Sequence, residues 1–239
     1  MAFPPMSGAR HGDRSVTNPS RECVGEISVL AAPASGAGKT APVVSGRGRC
    51  QPRRQKRREN VTELPLLVVV SGPPAAGKTT IARAVADRLR LPLIAKDGIK
   101  EVLGEALGVR GRDESRRLGA ATFEVQFHLL RELLGAGCSA VAEGNFTAAS
   151  GAGFTSLPTA RVVQVHVTAP PELLRDRMLA RVGRHAVHYD AEVAEEVFER
   201  ASAGDWQPPL PLDGELLLID TSSPQDPAAI AERVATMTA

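Results

Sequence analysis

Leu66–Leu91 reads LLVVVSGPPAAGKTTIARAVADRLRL, and its three parts decide the fold. Leu66 to Ser71 is a short, continuous apolar run rich in β-branched residues, the pattern of a strand buried on both faces of a parallel sheet. It leads without a spacer into Gly72–Thr80 (GPPAAGKTT). Beyond the loop, Ile81, Val85 and Leu89 recur every four residues, while Arg83, Asp87, Arg88 and Arg90 fall mostly on the other side. That spacing predicts an amphipathic helix. Strand, glycine loop and helix stand in the order that a phosphate cradle needs.

Within the loop, Gly72, Gly77, Lys78 and Thr79 match G-x-x-x-x-G-K-[ST], the P-loop spacing. The glycines let backbone N–H groups turn inward around an oxyanion, and the helix N-terminus adds a favourable dipole. The predicted nucleotide-binding residues are therefore Gly72, Pro73, Pro74, Ala75, Ala76, Gly77, Lys78, Thr79 and Thr80. Lys78 would reach the β- and γ-phosphates of ATP, and the Thr79 hydroxyl would ligate Mg2+. A second Gly-Lys-Thr occurs in Pro33–Thr40 (PASGAGKT). There Pro33 replaces the first glycine, and Pro42, Gly46 and Gly48 fall where a helix should propagate. Lys39 and Thr40 read as a chance echo.

The composition divides the chain. Residues 1–63 hold 11 Lys and Arg against 5 Asp and Glu, whereas residues 64–239 hold 18 against 22. The basic character belongs to the N-terminal part, which is rich in Gly, Pro, Ser and Arg. With only EISVL around Ile27 hinting at a strand, it buries too little apolar surface to offset the entropy of ordering. The expected organisation is a disordered basic extension over 1–63 and one α/β domain over 64–239, with a working start near Asn60 as a further possibility. The run Arg47–Arg58 (RGRCQPRRQKRR) suits nucleic acid or an anionic surface, or is a solvated tail, since no aromatic residue is interleaved for base stacking. Cys23, Cys50 and Cys138 form no pairable set or metal cluster, which fits a reducing cytosol, with Cys138 read as a small buried apolar residue. No run approaches the roughly 18 apolar residues of a membrane span, so a cytoplasmic protein with no membrane partner is expected.

After the P-loop helix, Leu91–Ala95 reads as a second strand ending at Lys96-Asp97, followed by a helix over 98–107 with Ile99, Val102, Leu103 and Leu107 on its inner side. Asp97 at the carboxyl end of a parallel strand faces the crevice where α/β sheets bind ligands; it also fits a helix N-cap. A long helix over about 114–134 shows a stripe of Leu118, Ala121, Val125, Leu129 and Glu132, widened by Phe123, Phe127, Leu130 and Leu134, with His128 as a structural histidine. Gly135 and Gly137 end it. Cys138–Ala142 is a third strand, ending in Glu143-Gly144-Asn145-Phe146. Glu143 stands where P-loop proteins carry the carboxylate that supports Mg2+, or else forms part of a turn. Residues 147–160 are a loop or a broken helix, and Arg161–Thr168 is a fourth strand with His166 packed inside it. The helix after Pro170-Pro171 projects Arg175, Arg177 and Arg181, followed by Arg184, His185 and His188. Guanidinium groups in that position suit a lid over a transferred phosphate, or a solvated helix face, to which Arg175 is the most readily assigned. An acidic helix over 190–201, a proline-rich loop over 205–212, a fifth strand over Glu215–Asp220 and a last helix over 228–234 complete the domain.

These features together resemble the small P-loop kinases, and among them the predicted-kinase group that includes chloramphenicol phosphotransferases, zeta toxins and the kinase domain of polynucleotide kinases. The resemblance covers about residues 64–235. It implies a three-layer α/β P-loop kinase fold with a five-stranded parallel sheet. It also implies ATP and Mg2+ as nucleotide and cofactor, and transfer of the γ-phosphate to a hydroxyl of a small molecule. In that group an Asp in a D-x-x-R-like context acts as base toward the acceptor; here Asp97 stands with Lys100, a compact ammonium in place of a planar guanidinium. Glu143-Gly144-Asn145-Phe146 looks like its third-strand motif, and RHAVHYD at 184–190 like its lid motif. Arg177, Arg181 and Arg184 are similar to its lid arginines, one stacking on adenine and another meeting the γ-phosphate. The resemblance also admits a nucleic-acid or toxin kinase, and the P-loop alone admits a nucleotide-binding regulator with slow ATP hydrolysis.

Overall fold

A computed structural model describes residues 63–238. The expectations for the N-terminal extension, namely its disorder, its basic run, the Lys39-Thr40 echo, Cys23 and Cys50, lie outside the described residues.

Five strands form the sheet: β1 (Leu66–Ser71), β2 (Leu93–Ala95), β3 (Ala140–Glu143), β4 (Arg161–Thr168) and β5 (Glu215–Asp220). They lie in the order β2-β3-β1-β4-β5, every pairing parallel. The helices are α1 (Lys78–Leu89), α2 (Lys96–Leu107), α3 (Arg112–Gly135), α4 (Gly151–Thr155), α5 (Pro171–Ala180), α6 (Asp190–Ser202) and α7 (Pro227–Met237). β1 is central and its alternation explains its unbroken apolar run. Val68 and Val70 point toward Ile81 and Val85 of α1 and Ile230 and Val234 of α7. Leu67 and Val69 point the other way, toward Phe127, Leu130 and Leu134 of α3. A strand covered on both faces has no polar side to show. The result is the three-layer α/β fold expected from the sequence, and the carboxyl ends of β1, β2 and β3 open on one edge, where such sheets bind ligands.

Several expectations about faces need correction. On α2 the buried residues are Lys96, Lys100 and Gly104, while Val102 and Leu107 are 66% and 71% exposed. The inward face of this helix borders a polar cleft, so hydrophobic periodicity marks the wrong side. On α3 the buried set is Ser115, Leu118, Thr122, Gln126, Phe127, Leu130 and Leu134. Val125 and Leu129 are exposed, and so are Ala121, Glu132 and His128, so His128 is not a packed histidine. Gln126 is buried because its Nε2 donates to the Ile94 and Glu143 carbonyls at 2.7 and 2.9 Å, tying the ends of β2 and β3 together. Cys138 is exposed, not buried, because the chain is still turning out of α3 and the strand starts only at Ala140. Arg175 packs its guanidinium over the Phe198 ring at 4.8 Å, in keeping with a structural role. Among the described residues no helix is long and apolar enough to cross a membrane.

Gly72 carries the sharpest constraint in the fold. Its φ is +136°, and a Cβ there would meet the Val167 carbonyl oxygen at 2.0 Å. Because β1 pairs directly with β4, that backbone cannot yield without opening the sheet. Gly72→Ala is expected to cost about 3 kcal/mol or more, read as a lower urea midpoint; a loss under about 1 kcal/mol would show that the loop can relax.

Candidate active site

The loop between β1 and α1 is built from left-handed residues. Gly72, Ala75 and Gly77 have φ of 136°, 63° and 87°, a succession that turns backbone amides toward one concave side. Gly77 stands at the N-cap of α1 and no side chain caps that helix, so its first-turn amides remain available to an anion. Lys78 is buried and curls back to donate from Nζ to the Pro73 carbonyl at 2.6 Å. Burial lowers its pKa, with Glu143 and Asp97 pulling the other way. Pro74, Ala75, Gly77, Lys78, Thr79 and Thr80 line a cleft of about 650 Å3. Gly72, Pro73 and Ala76 form the buried floor of the loop.

Asp97 and Glu143 reach the same cleft, whose lining also includes Asp190 and Glu196. Glu143 is the last residue of β3 and only 4% exposed. Burial raises its pKa against the attraction of Lys78, and the Thr79 hydroxyl lies beside it. Its Oε2 has no hydrogen-bond partner. The adjacent Gly144 is needed because a Cβ there would press on the Phe146 ring at 3.0 Å, so the Glu-Gly-Asn-Phe stretch also seats a buried phenylalanine. Asp97 lies in the first turn of α2, whose N-cap is Ala95, so the N-cap alternative does not hold. Arg184 Nη2 donates to Asp97 Oδ2 at 3.1 Å, and Lys96 Nζ approaches Oδ1 at 3.4 Å. Partial burial pushes its pKa up, but the charges of Lys96, His188 and Arg184 outweigh it and hold the carboxyl well below the usual carboxylate range.

Arg177, Arg181 and Arg184 also line the cleft. Arg181 Nη2 donates to Asp190 Oδ1 at 3.0 Å and Arg184 Nε to Asp190 Oδ2 at 3.3 Å. Asp190, 4% exposed at the start of α6, therefore anchors both. Arg177 is tethered instead, donating from Nη1 to Thr221 Oγ1 at 3.0 Å and from Nη2 to the Thr221 carbonyl at 2.7 Å. The Thr221 hydroxyl lies 3.1 Å from the Ala76 carbonyl and 3.0 Å from that of Thr168, so it links β4, the glycine loop and Arg177. The segment after α5 is fastened to α2 by His188 Nε2 with Glu101 Oε1 at 2.8 Å and His185 Nε2 with Glu105 Oε1 at 3.2 Å.

Sequence reasoning missed Asp190, Lys96 and Thr221. Asp190 closes the quoted RHAVHYD stretch but reads as the start of an acidic helix. Thr221 follows β5 at a strand's carboxyl end, the position rule that singled out Asp97 and Glu143, and that rule could have found it. Asp190→Ala would leave two guanidinium groups without their shared acceptor. An unfolding cost of about 2 kcal/mol is expected, below that of a fully buried pair because both arginines remain partly exposed. An unchanged denaturation midpoint would mean that the anchor carries no load.

Residues 67–204 match a family described as an AAA domain. Over 135 residues the chain is 30% identical to a cytidylate kinase of Ignicoccus hospitalis, an alignment covering 56% of this chain and 73% of that protein. A crystal structure from Chloroflexus aurantiacus J-10-fl, provisionally described as a kinase, shares 34% identity, covers 73% of this chain and 99% of its own, and superposes with a TM-score of 0.66. A sugar kinase from Janibacter sp. HTCC2649 shares the fold at 22% identity and a TM-score of 0.51, over 73% of this chain and 94% of its own.

Proposed function

The chain belongs to this AAA-domain family and to the P-loop kinases, and from that premise we propose that it moves the γ-phosphoryl group of ATP to a hydroxyl of a small-molecule acceptor. The observation that carries the proposal is convergence. Lys78, Thr79, Asp97, Glu143, Arg177, Arg181 and Arg184, gathered from four separate segments, face one cleft.

In the proposed cycle the amides of Gly72–Thr80 grip the phosphates, and Lys78 exchanges the Pro73 carbonyl for the β- and γ-phosphates. Thr79 and Glu143 fit Mg2+: a hydroxyl beside a buried carboxylate with one unpartnered oxygen suits an ion held by one or two protein oxygens together with substrate phosphates. Mg2+, when bound, neutralises charge on the phosphate oxygens. Asp97 aligns the acceptor hydroxyl and receives its proton. Its depressed pKa makes it a weak base, so alignment is the larger part of its work, in keeping with a loose transition state in which the proton departs late. Arg181 and Arg184, held by Asp190, stabilise charge on the moving phosphoryl group, and Arg177 does so from the Thr221 side. Most of the acceleration is positioning and preorganised charge.

The test is ADP release from ATP and Mg2+ with sugars, nucleosides and antibiotics as acceptors. One of them should raise ATP consumption at least about tenfold; slow hydrolysis that no acceptor stimulates would favour a nucleotide-binding regulator. Likeness to a cytidylate kinase supports a second reading in which CMP is the acceptor. An ionised Asp97 would repel an acceptor phosphate, which favours the hydroxyl; efficient conversion of CMP to CDP would reverse that preference.

A further inference from the structure

Val187 stands at the middle of the stretch 184–190, three residues from Arg184 and three from Asp190, and its side chain, amide and carbonyl are all engaged. The side chain, 2% exposed, fills a hole left by Gly104 on α2. A Cβ at Gly104 would lie 2.7 Å from Val187 Cγ2 and 3.1 Å from its Cβ, with Leu118 of α3 at 3.5 Å. The knob therefore sits in the seam between α2 and α3. Its carbonyl accepts at 2.8 Å from Ser115 Oγ of α3, which itself accepts at 2.8 Å from Lys100 Nζ of α2. Its N–H donates to His185 Nδ1 at 3.2 Å. Because that nitrogen accepts, the ring proton lies on Nε2 and is given to Glu105 of α2.

Around this knob the charges form a matching row. Asp97, Glu101 and Glu105 are spaced by four along α2 and share one stripe, opposite Arg184, His188 and His185. Arg184 also approaches Glu101 at 3.9 Å. Partly exposed pairs of this kind add little by themselves, so the knob supplies the register. The docked stretch holds the phosphate-facing guanidinium groups at its two ends. Arg184 opens it, and Asp190, which accepts from both Arg181 and Arg184, closes it. Neither Gly104 nor Val187 lines the cleft, so a change at either reaches the chemistry only through these ends. A close-packed contact is bistable rather than elastic.

We propose that Val187 is a positioning residue: seated against Gly104, it joins the stretch 184–190 to α2, so that Arg181 and Arg184 reach the phosphoryl group only together with Asp97. The inference rests on the phosphotransferase reading above and deepens it. A nucleotide that draws the arginines inward pulls α2 with them and sets the acceptor-aligning carboxylate at the same moment. Closure of the arginine segment and alignment of the acceptor are then one event, which denies water a half-assembled site around the phosphoryl group.

Gly104→Ala tests this directly. Alanine suits the middle of a helix better than glycine, but its Cβ and Val187 cannot both keep their places. Hydrogen exchange of the full chain is followed with and without Mg2+ and a non-hydrolysable ATP analogue. In the wild type the analogue should slow exchange at least about fivefold in 184–190 and in α2 alike. Gly104→Ala should bind the analogue within about threefold of the wild type, because the glycine loop is untouched, and should lose the protection of α2 while keeping that of α1. Adding Val187→Ala, which makes room for the new methyl group, should bring the protection back. Steady-state ADP release from ATP and Mg2+ should follow the same order, with kcat about tenfold or more lower in Gly104→Ala, KM within about threefold, and most of the loss regained in the double variant. Should Gly104→Ala fail to fold, Val187→Ala alone, which empties the hole without crowding it, is expected to lose the same protection. A knob that served stability alone would lower the melting temperature and leave the nucleotide-dependent protection of α2 as in the wild type. That result, or an unprotected α2 in the analogue-bound wild type, overturns the inference and leaves the kinase reading standing. A wild-type chain that takes up no analogue overturns both.

Discussion

Lys78→Met should lower phosphoryl transfer by at least about a thousandfold while the protein melts at or slightly above the wild-type temperature. The two halves of this result have separate causes. Activity falls because the ammonium is the one buried cation in the glycine loop itself, poised 2.6 Å from the Pro73 carbonyl and placed to exchange it for phosphate. Stability holds because burying that ammonium carries a desolvation cost, the leading cause of its lowered pKa, which the methionine does not incur. The methionine side chain keeps most of the lysine stem's packing. The Pro73 carbonyl is not orphaned either, since the Ala76 amide also approaches it, at 3.4 Å. Turnover within tenfold of the wild type would remove the loop lysine from the chemistry. A large fall in melting temperature together with lost activity would show only that the loop had unfolded.

The second large effect is expected at Asp97. Asp97→Asn should reduce kcat by roughly a hundredfold to ten-thousandfold, the range for a lost positioned base, with MgATP affinity changed by less than about threefold. The amide keeps the shape but carries no charge to align and accept the acceptor proton. It also releases Arg184, which now donates to that carboxylate. Stability and pH give a second readout. Because the folded pKa of Asp97 is depressed, its contribution to stability is fully present above the unfolded value of about 3.9. That contribution is lost as pH falls through the lower folded value. The wild type should therefore lose stability relative to Asp97→Asn below about pH 4, and its turnover should show no acid limb from this group between pH 5 and 7. Retained turnover in the variant would reassign the base.

The elements legible in the sequence are those whose pattern has one physical cause. β1, β4 and β5 begin and end where the sequence predicts because β-branched or apolar runs bounded by turns have no other good solution. The glycine loop was legible because its backbone function demands fixed glycines, and Gly72 meets that demand twice, in φ and in its contact with Val167. The faces of α2 and α3 were not legible. Periodicity assumes that the inward side of a helix is apolar, and here it meets a charged cleft on α2 and a strand-tying glutamine on α3. The arginines could be listed from sequence, but not the buried Asp190 that sorts Arg181 and Arg184 from Arg177, because that sorting depends on how α6 returns to α5. The sequence singles out Lys100 only as the counterpart of a motif arginine and passes over Lys96, whereas the fold sets both in the wall of the cleft.

Calorimetric titration of the folded full chain with ATP, in the presence and absence of Mg2+, asks whether the loop from Gly72 to Thr80 holds a nucleoside triphosphate. One saturable site per chain is predicted, tightened by Mg2+ and lost in Lys78→Met. A folded chain that takes up neither ATP nor GTP with Mg2+ would contradict it.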